Sequence, residues 1–204
     1  MTKAECCRQV YLHDAGLWAA GQVFAGMDEA GRGPLAGCVV AACVVMKPEP
    51  VIPYVYDSKQ LSEKQRLAAY ESIRRHAVFV GVGQVEAEEI DQINILQATK
   101  LAMRRAAEGA PAPMFLVDAV THLGLPGEER AIISGDAASY SIAAASIIAK
   151  VFRDAQMRLL DTEYPEYGFA RNKGYGTAEH VKALREHGPC PAHRLSFLHK
   201  ILAP

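Results

Sequence analysis

Two apolar runs, Val23-Phe24-Ala25 and Cys38 to Met46, flank the segment Gly26-Met27-Asp28-Glu29-Ala30-Gly31-Arg32-Gly33-Pro34-Leu35-Ala36-Gly37. Short apolar runs bounded by turn residues predict buried strands. The connection between them therefore lies at the edge of a core, yet it is charged. Asp28 and Glu29 stand where the first predicted strand ends, and a Gly31-Arg32-Gly33-Pro34 turn leads into the second. The glycines allow a ligand to approach the backbone closely. Arg32 adds a fixed cation with a planar donor fork. Carboxylates for a metal, bare N–H groups and an arginine together point to a site for phosphate and sugar.

Two other readings of this stretch compete. An Asp-Glu pair at a strand end is most often a solvated turn. The spacing of Gly26 and Gly31 matches a P-loop, but Arg32-Gly33 stands where Lys-Ser/Thr is required. Two carboxylates inside a phosphate cradle would also repel the ligand, so the P-loop reading is rejected. Adjacent strand residues face opposite sides of a sheet. Either the strand ends at Asp28, or Glu29 contributes partly through its carbonyl.

A chain of 204 residues is long enough for one domain with a core that needs no staples. No apolar run is long enough to span a bilayer, and Met1-Thr2-Lys3-Ala4-Glu5 has no apolar signal region. The five cysteines, Cys6, Cys7, Cys38, Cys43 and Cys190, form no Cys-x-x-Cys pair. Neither a disulfide framework nor a zinc site is indicated, and a reducing, cytoplasmic setting is expected. The net charge of −1 alone argues against a nucleic-acid binder. Its distribution qualifies that. Between Ala170 and Pro204, six basic residues (Arg171, Lys173, Lys182, Arg185, Arg194, Lys200) face two acidic ones (Glu179, Glu186), a net of +4. A basic tail beside an acidic site could face a polyanion, or it could be an ordinary mixed surface.

Along the chain, residues 1–22 read as a short helix or lead-in anchored by Tyr11, Leu12, Leu17 and Trp18. Ser62 and Gln65 fit a capping box opening a helix with Leu67, Tyr70, Ile73 and Ala77 on one face. Val78 to Gly83 predicts a third strand, and one long helix is expected from about Glu86 to Glu108. Met114 to Asp118 reads as a strand ending on a carboxylate, and Ala131 to Asp136 as another apolar strand with a carboxylate after it. Ser139 to Leu160 reads as a small-residue helix, with Asp136 near its positive end, where plain helix capping is an equal reading. Tyr175 lies between Gly174 and Gly176 and is either a loop anchor or a stacking surface. Thr177 fits an N-cap. The prolines after Gly188 predict an irregular wrap rather than a second core.

Asp28 with Glu29, Asp118 and Asp136 share one feature: each follows an apolar strand. Ligand sites of open sheets form outside strand ends. Acidic groups gathered there repel unless cations neutralise them. An all-carboxylate donor set suits Mg²⁺ or Mn²⁺ rather than zinc. Two such ions would clamp a phosphodiester undergoing hydrolysis. A glycosidase reading of the same carboxylates lacks an aromatic sugar cleft and gives the basic tail no role.

These residues also carry a resemblance. Met27 to Gly37, Asp57-Ser58-Lys59-Gln60-Leu61, Ile93 to Thr99, Gly135-Asp136, Ser141 to Lys150, Lys173-Gly174-Tyr175-Gly176-Thr177 and His193-Arg194-Leu195-Ser196-Phe197 occur in order. From Ala25 to Phe197 the chain resembles ribonuclease HII, the type 2 ribonuclease H family. The resemblance implies an α/β, ribonuclease H-like fold: a five-stranded mixed sheet flanked by helices, with a helical C-terminal part. It implies one catalytic domain over residues 1–204, its sheet and helices in about 23–160 and a substrate-covering part in about 161–204. It implies cleavage of RNA in RNA–DNA hybrids and of duplex DNA carrying single ribonucleotides. Asp28, Glu29, Asp118 and Asp136 are then the catalytic metal ligands for two Mg²⁺ or Mn²⁺ ions. Gly31, Arg32 and Gly33 would read the ribose 2′-hydroxyl, and Tyr175 would pack on the following deoxynucleotide. Lys59, Lys150 and Arg153 would lie near phosphates. A monomer with no membrane association is expected. A non-catalytic nucleic-acid-binding relative is the alternative, although such a relative is expected to lose a carboxylate. Cys38, Ala119 and Ser134 stand where the family often has Pro, Gly and Lys; none is a metal ligand.

Overall fold

The computed structural model describes residues 2–199, 201 and 202. Its sheet has five strands: β1 (Phe24–Ala30), β2 (Val39–Val45), β3 (Phe79–Val85), β4 (Met114–Asp118) and β5 (Glu128–Ile132). The order is β3-β2-β1-β4-β5. β1 pairs antiparallel with β2, as β2 does with β3, whereas β1–β4 and β4–β5 are parallel. The expected mixed sheet is therefore present. β2 is apolar at every position and buried at every position, because both faces of the sheet are covered.

The covering helices are α1 (Lys3–Ala19), α2 (Glu63–His76), α3 (Ala87–Ile93), α4 (Ile95–Ala107), α5 (Gly135–Ala138) and α6 (Tyr140–Glu163). On one face α1, α2 and α6 pack against Val40, Ala42 and Val44; on the other, α3 and α4 cover Ala25, Met27, Val39, Ala41 and Cys43. Small residues allow α6 to lie close to the sheet. At Gly26 a Cβ would collide with the main chain of Ser141. The start of α6 is held from α1, where the buried carboxylate of Asp14 accepts the Ser141 N–H at 2.8 Å.

Several expectations are corrected. β1 does not end at Asp28; it continues through Glu29 to Ala30, because its β2 edge keeps pairing up to Ala30↔Val40. The single helix expected over 86–108 is two. Asn94 has φ 66° and its side chain accepts from the N–H groups of Leu96 and Gln97, so it ends α3 and caps α4. The strand after Asp118 is Glu128–Ile132, a half-exposed edge strand, while the apolar Ile133 is 88% exposed. Leu12 and Leu67 face outward instead of anchoring their helices. The capping box at Ser62 and the Thr177 cap form as expected.

The tail is more than a wrap. After α6 come α7 (Phe169–Asn172), α8 (Ala178–His187) and α9 (Leu195–Leu198). Phe169, Tyr167, Ala183, Leu184 and Leu198 form their own apolar cluster with Leu35, Ala36 and Met157. This second core was hidden because its apolar residues are scattered among prolines and histidines. It packs the tail directly against the 31–37 turn.

Candidate active site

The β1–β4 ladder runs from Phe24↔Met114 to Met27↔Val117. The next positions on the two strands are Asp28 and Asp118, so parallel register alone brings these carboxylates side by side. Asp118 then accepts the N–H of Gly135 at 2.8 Å, which draws α5 and Asp136 inward. Carboxylate oxygens of Asp28, Asp118 and Asp136 lie within 4.8 Å of one another. Asp136 thus reaches the site from a short helix, not from a strand end. Glu29 stands outside that trio. One of its oxygens meets Arg32 Nη1 at 3.4 Å, and the other is buried with no hydrogen-bond partner.

Burial raises Asp28 well above the usual carboxylate range, and the neighbouring charges of Glu29 and Asp118 add to it. Burial likewise raises Glu29 and Asp118, against the opposing pulls of Arg32 on the first and the Gly135 N–H on the second. Two cations answer four carboxylates: Arg32 on Glu29, and Lys59, whose Nζ lies 3.0 Å from Asp136 Oδ2. Lys59 is placed by a 3-10 turn over Ser58–Gln60, which Asp57 caps by accepting the Lys59 N–H. Hard oxygen donors in excess of local cations, with one buried carboxylate oxygen unpartnered, fit a Mg²⁺- or Mn²⁺-type ion.

The cleft around this group has a volume of about 460 Å³ and includes Gly31, Lys59, Lys150, Arg153 and Tyr175. Lys150 lines it while its ammonium pairs with Asp154 at 2.7 Å. Tyr175 is 49% exposed, and a side chain added at Gly33 would meet the edge of its ring. Gly31 has φ 95° and lies against the side chain of Arg153 so closely that a Cβ would collide. Arg153 differs from expectation. It is 1% exposed, and its guanidinium donates to the carbonyls of Cys38, Lys173 and Ala36 at 3.0, 3.0 and 3.2 Å. Three of its donors are thereby committed to holding the main chain.

Sequence reasoning places Arg194 in a motif and counts it as a tail charge but gives it no site role; it is fully buried under the turn. It donates to the carbonyls of Gly31, Arg32, Pro34 and Gly37 at 2.7 to 3.0 Å. Burial, and the charge of Arg153, push it down to about 10, so it stays cationic at neutral pH. The tail is accordingly no free basic run. Arg171 and Lys182 pair with Glu179 and Glu186, Lys173 donates to the Ala170 carbonyl, and Lys200 lies outside the described residues. Ser58, Arg66 and Ser146 also line the cleft without having been singled out. Ser146 and Ser58 share a hydrogen bond at 3.0 Å, and Arg66 donates to the Ser58 carbonyl. Ser58 and Ser146 lie inside the quoted motifs but carry no charge that singles them out, and Arg66 lies outside those motifs; the fold brings all three to the cleft.

Known proteins resemble the chain in sequence and in fold. The family model described as Ribonuclease HII matches residues 25–201. A curated ribonuclease HII from Desulfitobacterium hafniense is 51% identical over 200 residues, covering 97% of this chain and 77% of that protein. The crystal structure of the ribonuclease H2 from Pyrococcus horikoshii superposes with a TM-score of 0.74 at 26% identity, covering 88% of this chain and 97% of the other. Bst-RNase HIII, solved in complex with Mn²⁺, shares the fold at 19% identity with a TM-score of 0.72, covering 100% of this chain and 73% of its own.

Proposed function

The chain belongs to the ribonuclease HII family and is a metal-dependent endoribonuclease of the ribonuclease H type, and on that footing we propose that it hydrolyses the RNA strand of RNA–DNA hybrids and incises duplex DNA on the 5′ side of a single embedded ribonucleotide. The observation that carries the reading is the trio of Asp28, Asp118 and Asp136, with oxygens within 4.8 Å at the mouth between β1 and β4. These three and Glu29 would hold two Mg²⁺ or Mn²⁺ ions. Bound there, such ions supply charge stabilisation for the attacking and leaving oxygens of a phosphodiester.

The chain's own groups provide the selectivity. Arg194 takes the carbonyls of Gly31 and Arg32, and Gly31 borders the cleft, where the main chain of the Gly31-Arg32-Gly33 turn would meet the sugar. Only the 2′-hydroxyl distinguishes ribose from deoxyribose at a given position. Main-chain groups hydrogen-bonded to that hydroxyl lose about 1–3 kcal/mol when it is missing. Tyr175, beside Gly33, would rest on the sugar of the next nucleotide and favour one without a 2′-hydroxyl. Lys59 and Lys150 border the cleft, where they would meet phosphates. Incision at that point leaves 3′-hydroxyl and 5′-phosphate ends.

Asp28→Asn tests the assignment. Cleavage of an RNA–DNA hybrid with Mg²⁺ should fall well beyond tenfold, about 1.4 kcal/mol of barrier, while the thermal melt still shows a folded protein. A folded variant retaining more than a tenth of the activity would remove Asp28 from the metal ligands.

A further inference from the structure

The segment Cys190 to Arg194 touches both elements that the proposed reading assigns to the substrate. On one side, Arg194 takes four carbonyls of the 31–37 turn through its guanidinium, and its own N–H donates to the Leu35 carbonyl at 2.8 Å. On the other side, His193 Nε2 lies 3.0 Å from His180 Nε2, and His180 Nδ1 lies 2.8 Å from the carbonyl oxygen of Tyr175.

The proton positions follow from the fixed partners. The Cys190 N–H lies 3.0 Å from His193 Nδ1, so that nitrogen accepts and the ring's proton is on Nε2. His193 Nε2–H therefore donates to His180 Nε2. The proton of His180 is then on Nδ1, where it donates to the Tyr175 carbonyl. One pair of neutral tautomers satisfies every donor and acceptor in the series. Both imidazoles are buried, packed against the rings of Tyr167 and Phe169. Neither His193 nor Arg194 lines the cleft. Both act on it through other residues.

We propose that His193 and Arg194 are a pair of positioning residues that fix the Tyr175 ring relative to the Gly31-Arg32-Gly33 turn, and so set the preference for a ribonucleotide followed by a deoxynucleotide. The inference rests on the reading of the turn and Tyr175 given above. Its physical basis is that adjacent residues on one buried segment bind both elements. A displacement of either by about 1 Å costs on the order of a hundredfold in rate.

The test is the ratio of kcat/KM on duplex DNA with one ribonucleotide to kcat/KM on a uniform RNA–DNA hybrid. It is measured for the wild type, Tyr175→Ala, His193→Leu, His193→Gln and the double variant Tyr175→Ala/His193→Leu. The expected result is a ratio lowered about tenfold or more in both Tyr175→Ala and His193→Leu, with no further fall in the double variant. His193→Gln, which keeps an acceptor and a donor, should restore the ratio. A merely structural role of His193 would lower both substrates together and multiply with Tyr175→Ala. If Tyr175→Ala lowers the ratio and folded His193→Leu or His193→Gln does not follow this pattern, the positioning role is overturned while the reading of Tyr175 stands. If Tyr175→Ala leaves the ratio unchanged, the reading of Tyr175 fails and the positioning role falls with it.

Discussion

Arg194 Nη2 donates to the carbonyl of Gly31 at 2.7 Å, across 163 residues of sequence. The tail and the first β-connection are thus one unit, with a buried guanidinium as the joint. Arg194→Lys keeps the charge but offers no planar fork to bridge four carbonyls. It should lower the unfolding free energy by about 3 kcal/mol, as expected when buried charge-assisted hydrogen bonds are lost. Cleavage of single-ribonucleotide duplex by the remaining folded protein should also fall at least tenfold, about 1.4 kcal/mol. Urea titration and single-turnover cleavage check the two parts separately.

Asp14 should matter for stability and not for chemistry. Its buried carboxylate accepts the Ser141 N–H near the positive end of α6, 127 residues away. Asp14→Ala leaves that N–H buried and unpaired, a loss of about 1–3 kcal/mol. Equilibrium unfolding should show the loss, with cleavage per folded molecule unchanged.

Ala119, next to Asp118, has φ 51°, a left-handed conformation that L side chains rarely adopt. Such a conformation costs a non-glycine residue about 1–2 kcal/mol, partly offset in a glycine by its freer unfolded chain. Ala119→Gly should therefore raise stability by about 0.5–1 kcal/mol, read as a higher melting temperature. A lower one would show that the methyl group is held by its surroundings.

Acid should loosen the tail through the imidazole pair. Burial pushes His193 down to about 4 and also lowers His180. As pH falls below about 6.5, the unfolded chain binds these protons before the folded one does. The stability they contribute is complete above about pH 6.5 and is lost toward pH 4. The raised carboxylates Asp28, Glu29 and Asp118 act in the opposite sense, gaining stability as pH falls, but they are common to any tail variant. The stability difference between wild type and His193→Gln should shift against the wild type between pH 7.5 and 5. A constant difference would mean that His193 does not titrate in this window.

Much of the fold and site was readable because it rests on short-range pattern. The apolar runs located four strands to within a few residues, and the acidic positions at the ends of two of them, β1 and β4, are Asp28, Glu29 and Asp118. Where long-range contacts decide, the pattern misled. Asn94 sits inside an apolar helical period, yet its side chain caps the next helix and breaks the run. Asp136 looked like a strand-end group, but it arrives on α5 because Asp118 binds the Gly135 N–H. Arg153 and Arg194 carry no local sign of burial; their role depends on carbonyls more than a hundred residues away. Arg153 is expected near phosphates and Arg194 in a basic tail, and the fold turns both guanidinium groups onto main-chain carbonyls.

The decisive measurement is the mapped cut in duplex DNA that carries one ribonucleotide, made with and without Mg²⁺. The account predicts a metal-dependent nick at the phosphodiester on the 5′ side of that ribonucleotide, with a 3′-hydroxyl and a 5′-phosphate. No nick with Mg²⁺ or Mn²⁺ present, or a nick on the 3′ side of the ribonucleotide, would contradict it.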